Sequence, residues 1–308
     1  MRMILMQRLT VPRLARLAAP LLTGLLLTTS CQAVGPAQDD VEVAAAFYPL
    51  AFVASQVAGG NAAVTNLTTP GREPHDLEPS IGQVGQIAQA DLVVLLSGFQ
   101  PPVDAAAAQY AEGTVLDVGK VVSLHPLAAD ASGASQEQTD PHFWLDPLLM
   151  ADLGDSVAAE LSDLDPDKAS TYRTNSSHLR SDLEAIDQEF AAGLSHCARQ
   201  TVVVSHDAFS YLGRYGLDIV SIAGLSPENE PTAGDLARLR DEIASTGVTT
   251  VFSEVLASDA LARTLADEAG VTTAVLDPIE GLSDTTADQD YFTLMRANLA
   301  ALRKANQC

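Results

Sequence analysis

The chain has 308 residues, 47% of them hydrophobic, 5% aromatic and 19% charged, with 40 acidic against 17 basic residues and a net charge of -23. At roughly 100–200 residues per domain this is one large or two ordinary domains with a substantial core, and the apolar fraction excludes a disordered acidic tail. A field this negative repels phosphate backbones, which excludes nucleic acid as a partner.

The first thirty residues read as an export signal. Arg2, Arg8, Arg13 and Arg16 precede an apolar run from Leu17 to Leu27, broken only by Pro20, Thr23 and Gly24. A positive segment followed by an apolar run too short to span a bilayer is the pattern of a secretory signal. The run ends in LLLTTSC, with Cys31 after Thr28, Thr29 and Ser30. This is similar to a bacterial lipobox, except that Leu27 stands one position further back. The favoured reading is a signal over 1–30 and lipidation of Cys31; the alternative is an ordinary cut near Ala33. Without the signal the chain carries 13 basic against 40 acidic residues, or -27. With Cys31 set aside, Cys197 and Cys308 remain. An exported protein keeps disulfides, so this even remainder predicts a Cys197–Cys308 pair rather than two unrelated thiols.

After a polar spacer (31–40), strands and helices alternate. Strands are predicted at 41–47, 62–67, 91–97 and 114–118, with helices at 80–90 and 105–113. Continuous apolar strands between helices indicate a mainly parallel sheet covered on both faces. Residues 123–141 read as loop, and a helix follows over 147–164. From Lys168 the positions Tyr172, Leu179, Leu183, Ile186, Phe190 and Leu194 recur at helical spacing, which predicts one amphipathic helix to about Gly193. At 1.5 Å per residue it spans roughly 40 Å, the width of a domain. The alternation then resumes, with strands at 201–205, 218–223, 249–254 and 272–277 and helices near 207–215, 232–246, 257–268 and 288–304. The expected architecture is α/β: a βα lobe over 41–165, a long linker helix over 166–197 and a second βα lobe over 198–308.

Six histidines occur, His75, His125, His142, His178, His196 and His206. Three of them, His75, His142 and His206, stand in loops beyond predicted strands or at domain edges, where open α/β sheets place their ligand sites. Asp277 ends the last predicted strand. Imidazoles with one carboxylate suit zinc and related divalent metals. Each residue also has a bland reading: Asp277 before Pro278 as a turn former, His206 beside Asp207 as a neighbour of a helix cap. His178, His196 and His125 read as surface or loop. Separations of 67, 64 and 71 positions between the four residues do not by themselves make a site.

The surrounding motifs add a resemblance. PGREPHDLEPS, DPHFWLDP, VVSHDAFSYLGRYGL, GLSPENEPTAGDLARL and VLDPIEGL occur in this order between Val41 and Asn306. Together they resemble the cluster A-I solute-binding proteins of zinc and manganese ABC transporters. The resemblance implies two αβ lobes joined by a rigid long helix, with metal held in the cleft between them. It puts the three imidazole ligands on His75, His142 and His206 and the carboxylate ligand on Asp277, with Glu73 as an alternative. His at the third position implies zinc, since manganese-binding relatives commonly carry Glu there and imidazole suits zinc better. One departure is that zinc-type relatives often have a His-rich loop before the second His, whereas Pro126–Asp140 holds none.

Other readings keep part of this picture. Three His and a water would also make a catalytic zinc set of a hydrolase, but the sequence has no HExxH helix or GxSxG elbow. With Asp277 as fourth ligand no position stays open for turnover, so no enzyme activity is expected. Siderophore or corrinoid cargo needs an apolar or basic cleft, which three aligned His argue against. The expectation is therefore Zn2+ cargo, with Mn2+ as the runner-up, carried by a lipid-anchored monomer on the outer face of the cytoplasmic membrane. Its partners would be an ABC permease and the ATPase that drives it. Binding is expected to fail as falling pH protonates the imidazoles.

Overall fold

Each half of the chain builds the same small sheet. In the first, β1 (Val41–Ala45), β2 (Ala62–Asn66), β3 (Leu92–Leu95) and β4 (Thr114–Asp117) pair in the order β2-β1-β3-β4. In the second, β5 (Thr201–Val204), β6 (Asp218–Ser221), β7 (Thr250–Ser253) and β8 (Thr272–Val275) pair in the order β6-β5-β7-β8. Every pairing within the two sheets is parallel. Parallel neighbours require crossovers, and the helices that make them bury the sheet faces, which is why LVVL of β3 is buried at all four positions. The computed structural model describes residues 40–127, 139–227, 229 and 231–308. Cys31 and most of the expected spacer lie outside them. Among the described residues no helix is long and apolar enough to cross a membrane.

The crossovers include α1 (Tyr48–Ala58), α2 (Ile81–Gln89) and α3 (Pro101–Tyr110) in the first lobe, with a single turn, α4 (Val118–Val121), after its last strand. Helix α1 was not legible as a helix, because nine of its eleven residues are buried and no polar face gives a 3.6-residue rhythm. Helix α3 begins four residues earlier than expected, at Pro101, since a proline in the first turn is preset for helix and gives up a donor that would lack a partner anyway. The second lobe contributes α7 (Ala233–Thr246), α8 (Ala260–Ala269) and α9 (Tyr291–Asn306). The helix expected at 207–215 is instead a short 3-10 helix, Ser210–Tyr215. Thr232 and Asp235 form a reciprocal capping box at the start of α7, the reading the sequence favoured for that segment.

Between the lobes in sequence run α5 (Pro147–Leu164) and α6 (Ala169–Leu194). Helix α6 has 26 residues, about 39 Å at 1.5 Å per residue. Its buried positions include the whole predicted apolar stripe, Tyr172, Leu179, Leu183, Ile186, Phe190 and Leu194, with Ala169 and Ser176 beside it. It packs on α1 and α5 at one end and on α9 towards the other. Glycines allow both approaches: a Cβ on Gly154 of α5 would lie 3.1 Å from Leu179, and one on Gly193 of α6 would lie 3.1 Å from Leu299 of α9. Cys197, just beyond α6, is disulfide-bonded to Cys308, just beyond α9. One apolar cluster runs from the first sheet through α5 and α6 into the near face of the second sheet. A second cluster lies under α7 and α8. The long helix thus shares its core with both lobes, which makes it a stiff brace.

Candidate metal site

Parallel sheets direct the ends of their strands, and the loops that follow, to one edge. His75 lies in the loop after β2, His206 two residues after β5, and Glu280 five residues after β8. His142 precedes a 3-10 turn, Phe143–Leu145, that leads into α5. One donor atom from each of His75, His142, His206 and Glu280 falls within 4.8 Å of all the others. Glu280 Oε1 stands 3.5 Å from His75 Nε2, 3.4 Å from His142 Nε2 and 3.3 Å from His206 Nε2. His142, His206 and Glu280 have fully buried side chains, and His75 is 11% exposed. All three Nε2 atoms and both Glu280 oxygens are buried without a hydrogen-bond partner. Buried polar atoms are rarely left so, and convergence of several on one point marks a place for an ion.

The fourth member of the cluster is not the carboxylate expected from the sequence. Asp277 does not join the cluster; it builds the turn that delivers Glu280. Its Oδ1 accepts the Ile279 N–H at 2.8 Å, while its own N–H and carbonyl are held by the Asn298 side chain of α9 at 2.9 and 2.7 Å. Ile279 adopts a left-handed backbone at φ 59°, a costly conformation for a β-branched residue. The chain turns sharply there and sends Glu280 into the cleft. Burial pushes the Asp277 carboxyl up to about 6. Glu73, the alternative ligand, also stays out of the group. Its Oε1 accepts the His75 N–H at 3.0 Å, and burial together with the Glu280 charge pushes it up to about 8.

Two further carboxylates orient the rings. Asp140 Oδ1 accepts from His142 Nδ1 at 2.8 Å and from the His142 N–H at 2.9 Å. Glu254, just after β7, meets His206 Nδ1 at 2.6 Å and also accepts the Ser205 hydroxyl. With Nδ1 engaged from behind, each Nε2 is turned into the cleft, the usual outer-shell arrangement of a ligating histidine. Neither carboxylate was identified from sequence. Asp140 stands two residues before His142 in a motif already noted, and Glu254 is a buried acid at the end of an apolar strand.

The electrostatics favour positive charge at the centre of the cluster. Burial would lower His206, but its hydrogen bond to Glu254 and the neighbouring charges of Glu254 and Glu280 raise it to about 10. His142 is raised in the same way by Asp140 and Glu280 against its burial. Burial would raise Glu280, but contacts from His142, His206 and His75 hold it well below the usual carboxylate range. Around the site stand Phe99, 4.5 Å from the His75 ring, and Trp144, 5.2 Å from the His142 ring. The Trp144 Nε1–H donates across the cleft to the Pro278 carbonyl at 2.7 Å. A cavity of about 460 Å³ opens beside His75, lined also by Phe99, Leu127, Leu225 and Asn229.

Two parallel-sheet lobes closing on three imidazoles and a carboxylate define a two-lobed binder whose cleft offers a metal-ligand donor set. The family ZnuA, described as the zinc-uptake complex component A, periplasmic, matches residues 43–305, and the chain belongs to it. It is 34% identical over 293 residues to the zinc-binding lipoprotein AdcA of Streptococcus pneumoniae, covering 91% of this chain and 58% of that one. The chain therefore spans little more than half the length of that relative. It is 31% identical to the high-affinity zinc uptake system protein ZnuA of Bacillus subtilis, covering 86% of this chain and 87% of the relative. Among solved structures it resembles Zn(II)-bound AdcA of Streptococcus pneumoniae, at 33% identity and a TM-score of 0.74 over 87% of this chain and 58% of that one. It also resembles a crystal structure of ZnuA, at 25% identity and a TM-score of 0.77 over 87% of this chain and all of that one.

Proposed function

We propose that this protein captures Zn2+ outside the cytoplasm and delivers it to an ABC permease for uptake, with His75, His142, His206 and Glu280 as its ligands. The observation that carries the proposal is a set of three distances. A tetrahedral zinc site with bonds of about 2.0–2.1 Å has ligand–ligand edges of roughly 3.3–3.4 Å. The Glu280 oxygen lies 3.3, 3.4 and 3.5 Å from the three imidazole nitrogens. A carboxylate at that spacing from three imidazoles favours zinc over the six-coordinate oxygen-rich shells of magnesium-like ions, and the imidazoles favour it over manganese. A site closed by four protein ligands keeps no open position for an activated water, which supports capture rather than catalysis.

Membership of a zinc-uptake family described as periplasmic supports export, as does a disulfide that persists in an oxidising compartment. The relative named a lipoprotein supports anchoring through Cys31. An ABC permease and its ATPase are the partners in this reading, and the protein acts as a monomer. Calorimetric titration of metal-stripped protein with Zn2+ and Mn2+ tests the cargo. Submicromolar zinc binding with one ion per chain and much weaker manganese binding is expected. Zinc binding at micromolar affinity or weaker would sink the proposal.

A further inference from the structure

The segment that carries His206 also grips the support of His142. Four and five residues after His206, at the start of the 3-10 helix, come Ser210 and Tyr211. The Ser210 hydroxyl donates to Asp140 Oδ2, and Tyr211 OH donates to the Asp140 carbonyl at 2.9 Å. Asp140 in turn holds His142 by both its ring Nδ1 and its backbone N–H. Tyr211 OH also accepts the His125 N–H at 2.9 Å, and the two rings stack 4.2 Å apart and 14° from parallel. His125 and Asp140 are themselves joined, the Asp140 N–H donating to the His125 carbonyl at 2.9 Å beside a bridge between Pro126 and Thr139. Tyr211 and Asp140 are 0% and 2% exposed, so water does not compete for these bonds.

We infer that Ser210 and Tyr211 form a latch across the cleft that holds His142 in its ligating pose and sets how long a bound metal stays. The second lobe's chain reaches from His206 straight into the latch. Moving that lobe away withdraws His206 and, in the same motion, frees Asp140 and with it His142. Two ligands from opposite lobes are thus released together rather than one at a time. Ser210 and Tyr211 are positioning residues, since they touch no donor atom of the site. The inference deepens the function proposed above and rests on its ligand set.

The test compares wild type with Ser210→Ala, Tyr211→Phe and the double variant, using Tyr291→Phe as a matched control. Tyr291 OH donates to the Trp144 carbonyl at 2.6 Å, an equally buried bond between the lobes whose partner is a backbone carbonyl other than that of Asp140. Zinc release into excess chelator is followed by stopped flow. The double variant is expected to release at least tenfold faster with association within threefold of wild type, and Tyr291→Phe to change release less than threefold. In the metal-free proteins, hydrogen exchange at the His142 amide is expected to speed up in the latch variants alone. Release within twofold of wild type, or equal acceleration in Tyr291→Phe, would overturn the latch. Unchanged His142 exchange would do so too. Failure of wild type to bind Zn2+ would instead refute the proposed cargo, with the exchange experiment still deciding the latch.

Discussion

Glu280 and Asp277 stand three residues apart in one loop, and only one of them faces the three imidazoles. A divalent ion held by three neutral rings keeps both its charges, and the Glu280 carboxylate, wholly shielded from solvent, offsets one of them. Glu280→Gln preserves shape and removes that charge. Stranding a buried charge without its partner costs about 3–5 kcal/mol, which at about 1.4 kcal/mol per tenfold is a roughly 100- to 4000-fold loss of zinc affinity. Asp277→Asn keeps an oxygen for the Ile279 N–H, so the turn survives and affinity moves by no more than roughly fivefold. Competition against a chelator of known affinity, on metal-stripped proteins of verified fold, measures both. A larger loss in Asp277→Asn than in Glu280→Gln would refute the assignment of the carboxylate.

The raised imidazoles set the pH dependence. Zinc must displace the proton of His206, whose folded value is about 10, so affinity is expected to rise about tenfold per pH unit between pH 7 and 9; a flat profile would contradict this. For the metal-free fold the sign is opposite: the His206 pairing contributes fully below its unfolded value of about 6.5 and is lost as pH rises through about 10. Urea midpoints across that window measure it. Glu254→Gln and Asp140→Asn are expected to weaken zinc binding roughly 10- to 100-fold by loosening the rings they orient, without altering the one-to-one stoichiometry. Cys197 and Cys308 are 111 residues apart. Cys197→Ser/Cys308→Ser is therefore expected to cost about 4–5 kcal/mol, a fall in Tm of roughly 10 °C by calorimetry.

The strand-and-helix alternation was legible because eight short apolar runs are separated by polar turns, and the long helix because its stripe repeats over six buried positions. Helix α1 was not, since burial on nearly every side erases the rhythm that identifies a helix. The three histidines were found through motifs that surround them, not through spacing. Glu280 was missed for a local reason: Asp277 ends the strand pattern and carries the right chemistry, but the left-handed Ile279 between them redirects the chain. Nothing in the residue pattern signals that backbone, because Ile ordinarily avoids it. The two orienting carboxylates show the same limit. Asp140 is near its histidine in sequence, whereas Glu254 meets His206 across 48 residues and two paired strands, β5 and β7.

The overall acidity of the chain bears on the site less than the local balance does. Three carboxylates, Glu280, Asp140 and Glu254, surround the rings of His142 and His206. Burial would lower both rings, but these carboxylates raise them above their ordinary value. A Zn2+ ion held by the same rings would displace their protons, so its charge would replace positive charge that the carboxylates already face. That matters because moving the charge of a low-dielectric site by even one unit costs several kcal/mol. A preference for cations is thus built into the carboxylates around the rings, and a preference for zinc among them into the three imidazoles.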